Sequence, residues 1–150
     1  MSKISTIIDG LANFLAAQYP APSQEHVNPY SIELNDEFSL ADGWSFFIGP
    51  VINTQEMASC QLSLERDIVI NRTLKNFGTK EDVAIRRATE KTLLESGYQL
   101  ILAVEQDPVL QPLLELITFV GDNGVEVVQG EETQFLALRS TFTIKYYEQL

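Results

Sequence analysis

Two stretches of the chain alternate apolar and polar positions over an unusual length. Across 135–147, Leu136, Leu138, Phe142, Ile144 and Tyr146 fall on one side of an extended backbone. Ala137, Arg139, Thr141, Thr143, Lys145 and Tyr147 fall on the other. Across 60–72, Cys60, Leu62, Leu64, Ile68 and Ile70 share one side, and Gln61, Ser63, Glu65, Asp67 and Asn71 share the opposite one. A two-residue period of this kind predicts strands with one face in a core. Both are about twice the usual 5–6 residues. Strands of that length are expected to overhang the domain and offer backbone groups to a neighbouring chain. Arg66 interrupts the apolar side of the earlier strand and Val69 the polar side, which predicts a bulge or a strand end there.

The remaining pattern is more local. Ile4, Ile7, Ile8, Leu11, Phe14 and Leu15 keep the spacing of one apolar helical stripe, so 4–19 is expected to be a helix stopped by Pro20 and Pro22. Residues 30–40 suggest a short strand. Residues 43–54 suggest another, broken at Gly49-Pro50, where proline implies an edge or a bulge. Trp44, Phe46 and Phe47 are expected in the core, with an exposed anchor as the alternative. A long helix is predicted from Thr79, with Asp82 three positions on as a capping partner, to Gln106 before Pro108. After Gly97 this helix is apolar on nearly every side, which requires deep burial or a covering partner. Residues 117–120 and 125–128 read as two short strands joined by Gly121-Asp122-Asn123-Gly124 as a hairpin turn.

Strands in succession with segregated helices predict an α+β fold. Its expected form is a mainly antiparallel twisted sheet with two long strands, a C-terminal hairpin plus strand, and two helices packed on one face. The length of 150 residues fits a single domain spanning 1–150.

Composition narrows the functional classes. A hydrophobic fraction of 45 % excludes a disordered chain. No apolar run reaches the roughly 20 residues that span a bilayer, and the first residues lack the features of a signal peptide, so the expected compartment is a cytoplasm. The net charge of −11 argues against binding free nucleic acid through counterion release. Taken alone the charge reads as a solvated acidic surface; in an assembly, an acidic channel would repel phosphates and let DNA pass.

Candidate chemistry is sparse. Cys60 is the only cysteine and is expected to be a buried, inert thiol. Asn71-Arg72-Thr73 matches a glycosylation sequon by chance. The single histidine, His26, has no companion at a metal-ligand spacing. Carboxylates at Glu33, Asp36, Glu37, Glu65, Asp67, Glu131 and Glu132 read as solvated, and no nucleotide, phosphate or nucleophile motif occurs. The expectation is no catalytic residues, no cofactor and no metal. Arg66, Arg139, Lys145 and Tyr147 are the candidates for subunit contact, with pairing inside one subunit as the alternative for the two arginines.

The amphipathic first helix, the strands at 44–52 and 60–72 leading into the long helix from Thr79, and the closing strand 136–147 together resemble a tail terminator protein of long-tailed bacteriophages. The likeness lies in element order and length. It implies a hexameric ring of identical subunits that caps the tail tube protein, stops polymerisation and offers a docking surface to the head connector or neck protein. It also implies DNA passing through the lumen without specific binding, a virion location after assembly in the host cytoplasm, and no membrane. The competing readings are a head-completion or neck subunit, a tail tube subunit, and a cytoplasmic small-molecule-binding α+β domain.

Overall fold

The computed structural model describes residues 3–18, 27–28, 43–58, 60–75, 83–108, 110–129 and 134–149. The elements in chain order are α1 (Lys3–Gln18), β1 (Val27–Asn28), β2 (Gly43–Met57), β3 (Gln61–Lys75), α2 (Val83–Gln106), β4 (Leu116–Gln129) and β5 (Gln134–Gln149). The strands form one sheet in the order β1-β2-β3-β5-β4. All pairings are antiparallel except the short β1–β2 contact. The fold is α+β, as the succession of elements predicts.

The centre of the sheet is the β3–β5 pair, which runs in unbroken register from Gln61↔Gln149 to Lys75↔Phe135. The two stretches with the longest sequence alternation are therefore direct neighbours. Ile68 and Ile70 of β3 and Phe142, Ile144 and Tyr146 of β5 are buried in one cluster with Ile7, Leu11, Phe14 and Leu15 of α1 and Leu100 and Val104 of α2. Phe46 joins them fully buried. Phe119 of β4 meets Phe142 edge-on, with centroids 5.4 Å apart. A smaller cluster holds Leu93, Leu136 and Leu138. Gly97 lets α2 approach β5 there: a Cβ at this position would lie 2.5 Å from Leu138 Cδ2.

Three expectations change. The predicted hairpin at 117–128 is a single strand. Both halves of β4 pair with β5, and register shifts at Phe119/Gly121 and Asp122/Val125 absorb the extra residues. Gly124 takes a positive φ of 73°, and Asp122 Oδ1 accepts the Gly124 N–H at 2.8 Å. The local turn chemistry is thus satisfied within a bulged strand, with no chain reversal. β2 likewise continues through Gly49-Pro50, with register shifts between Ile48, Val51 and Asn53. Third, Cys60 is exposed in the β2–β3 turn with a φ of 59°, because β3 begins one residue later.

The strand expected at 30–40, the helix cap at Thr79 and Asp82, His26, and the side chains of Trp44 and Phe47 lie outside the described residues. The sequon is in the middle of the sheet, with Asn71 and Thr73 buried. No helix of the described residues is long and apolar enough to cross a membrane.

Candidate assembly interface

Interfaces in a sheet protein begin with edges, because an edge strand leaves backbone N–H and C=O groups unpaired. β2 is flanked on its outer side by β1 only at Trp44 and Ser45. From Phe46 to Met57 that edge meets no strand among the described residues. Residues 51–57 are all exposed, including the apolar Val51, Ile52 and Met57. β4 forms the opposite edge, where Leu116, Val120 and Val127 are more than half exposed. Both edges carry bulges and β2 carries Pro50, devices that restrict which strand can pair there.

The sheet also projects beyond β4. The last β4 pairing is Leu116↔Lys145. Past it, residues 54–57 of β2, 61–64 of β3 and 146–149 of β5 continue as a three-stranded arm. The first turn of α1 is tied to this arm, where Glu148 Oε1 accepts the Ile4 N–H at 3.0 Å.

The four sequence candidates separate onto two faces. Arg139, Lys145 and Tyr147 alternate with the buried Leu138, Phe142, Ile144 and Tyr146, so all three share the face of β5 opposite the main core. Each is half-buried. Arg139 pairs in register with Asn71, and its Nε is buried without a hydrogen-bond partner among the described residues. Lys145 lies opposite Glu65, and Tyr147 opposite Ser63. The same face holds a hydrogen bond from Thr143 Oγ1 to Asp67 Oδ1 at 2.9 Å.

Arg66 lies on the other face. Its Nε donates to Tyr146 Oη at 2.8 Å and its Nη1 to the Gly49 carbonyl at 2.9 Å. It therefore ties β2 to β5 across β3, inside one subunit. The Gly49 carbonyl sits at the β2 bulge, so Arg66 also fixes the strand irregularity next to the exposed edge.

Sequence reasoning missed three features. Two of them, the Arg66–Tyr146 bond and the Glu148 cap of α1, have no local signal, since their partners lie 80 and 144 positions apart. The third feature had a visible signal. Leu94, Tyr98 and Leu102 keep an i, i+4, i+8 spacing on α2 and are exposed. Among the described residues no group of three or more His, Cys, Asp or Glu side chains is placed to hold a metal ion. The surface grooves along α2 are lined by residues such as Lys91, Thr92, Glu95 and Gln99, which do not form a nucleophile–base pair. No family model matches the chain, and no curated protein matches it.

Proposed function

We propose that this chain is a structural subunit that joins copies of itself into a closed ring, capping the tail tube of a long-tailed phage. One observation carries the reading: opposite edges of a single sheet, on β2 and β4, both offer backbone that meets no further strand among the described residues, together with exposed apolar side chains. Two different surfaces of one subunit that fit each other make a head-to-tail contact. Such contacts close into a ring when the rotation permits and extend into a filament when it does not. The bulges at both edges restrict pairing to a matching strand, as a closed assembly requires.

The resemblance in element order supports the placement at the tube end, and the charge of −11 suits a lumen that DNA crosses without binding. In this reading the ring stops growth by covering the last tube ring, and its far side receives the head connector. The three-stranded arm extends the sheet past β4 and is available for an axial contact.

The test is the solution mass of the purified protein with negative-stain images of the same fraction, alone and after addition of tail tube protein. Closed rings, alone or on tube ends, are the expected result. Long tubes from this chain alone would make it a tube subunit. A monomer that leaves tube length unchanged would overturn the reading. Ile52→Glu, on the exposed β2 edge, is expected to keep the circular dichroism spectrum and weaken the ring, while unfolding would assign Ile52 to the fold.

A further inference from the structure

The exposed side of α2 is patterned in a way the strand edges do not explain. At about 100° per residue, Arg87, Lys91, Leu94, Tyr98, Leu102 and Glu105 fall within about 80° of arc. The buried residues Leu93, Gly97, Leu100 and Val104 are centred about 130° away from that stripe. All six stripe residues are exposed, Tyr98 by 56 % and Leu94 by 47 %. The seam thus has an amphipathic centre, two cationic residues toward the helix N-terminus and a carboxylate toward the C-terminus.

We propose that this stripe is a docking surface for α2 of a second copy of the chain, packed antiparallel across a two-fold axis. The argument is charge and shape complementarity under one symmetry operation. Antiparallel pairing that places Leu94 against Tyr98 of the partner is centred at position 96. The same centre places Arg87 opposite Glu105 of the partner and Lys91 opposite Ile101 of the partner, about one helical turn from the same glutamate. Because the contact is isologous, each pair occurs twice. A parallel arrangement would instead set Arg87 against Arg87 and Glu105 against Glu105, which like-charge repulsion disfavours.

The seam from Arg87 to Glu105 is about 27 Å long at ~1.5 Å per residue. With a helix about 10 Å wide it covers well under the roughly 1,200 Å² of a stable complex. The association is therefore weak, reversible and sensitive to charge. It uses no sheet edge, so it is independent of the ring: it doubles the mass of whatever unit the edges build, a single chain or a closed ring.

The experiment is sedimentation equilibrium of the full chain over a wide concentration range. The wild type is expected to shift toward twice the mass of its smallest unit as concentration rises. Arg87→Glu and Glu105→Arg are each expected to raise the dissociation constant at least about tenfold, since each sets two like-charge pairs across the axis. The double variant Arg87→Glu/Glu105→Arg is expected to return to within about threefold of wild type, and so is an equimolar mixture of the two single variants. Tyr98→Ala, which carries no charge change, is expected to weaken doubling without rescue by either swap. A wild-type mass that never doubles, or a double variant no better than the singles, would overturn the proposal. Loss of doubling with rings intact bears on this surface alone, and loss of rings with doubling retained bears on the sheet edges alone.

Discussion

Gly97 is where the sequence of α2 is most tightly constrained by the sheet beneath it, and the constraint can be measured. A Cβ added at Gly97 would stand 2.5 Å from Leu138 Cδ2. Ordinary carbon contact is about 3.5–4.0 Å, so the methyl overlaps by about 1 Å. Leu138 has little room to retreat, since it is buried with Leu93 and Leu136. Overpacking of this kind costs about 1–3 kcal/mol. Alanine in a helix interior recovers about 1 kcal/mol relative to glycine. Gly97→Ala alone is thus expected to destabilise by about 1 kcal/mol. Leu138→Ala alone removes a buried isobutyl group and is expected to cost about 2–5 kcal/mol. In that background the clash is gone, the helix gain remains and the new methyl fills part of the void. There, Gly97→Ala should stabilise by about 1 kcal/mol. The sign reversal amounts to a coupling of about 2 kcal/mol, well above the roughly 0.5 kcal/mol scatter expected of independent sites. Urea unfolding of the four proteins at one protein concentration, compared at a common slope, reads it directly. Equal effects of Gly97→Ala in both backgrounds would refute the close helix–sheet approach.

Two further outcomes follow from hydrogen bonds that cross the fold. Tyr146→Phe removes the acceptor of the Arg66 Nε–H in a buried setting and is expected to lower stability by about 1–2 kcal/mol in thermal unfolding, with Arg66→Met/Tyr146→Phe recovering part of the loss. Glu148→Ala removes the acceptor for the Ile4 N–H from a helix with no acidic residue in its own first turn. It should cost about 1 kcal/mol and speed hydrogen exchange at the start of α1, whereas unchanged exchange would show that the contact contributes nothing.

Legibility in the sequence followed the range of the interactions. The α1 stripe and the alternation in β3 and β5 arise from each element facing one core, so period alone reveals them. The segment 117–128 reads as a hairpin because Gly121-Asp122-Asn123-Gly124 carries a strong local turn signal. What decides its path is pairing of both flanks with β5, a partner the local pattern does not name. Arg66 appears in the sequence as a defect in an apolar face. It is in fact a buried-side donor whose acceptors, Tyr146 and Gly49, come from two other strands. Of the interface candidates, alternation places Arg139, Lys145 and Tyr147 on one face, as a strand must. The edge positions of β2 and β4 among the described strands depend on strand order, which no single segment encodes. The alternation that points Cys60 to the buried side ends one residue short of it, at Gln61, and Cys60 belongs to the turn.

The strand order also bears on how the chain reaches this structure. β2–β3 and β4–β5 are each made from neighbours in sequence, whereas the central β3–β5 seam joins positions 60 apart at one end and 88 at the other. Loop-closure entropy makes the seam the slow event, so each half is expected to acquire its hairpin before the two meet. Until they do, β3 is paired with β2 on one side only, and its other edge, fifteen residues long, is open to capture by β5 of a different molecule. At high synthesis rates the main hazard for this protein is therefore exchange of halves between chains during folding, and slowing its production should raise the yield of native subunits.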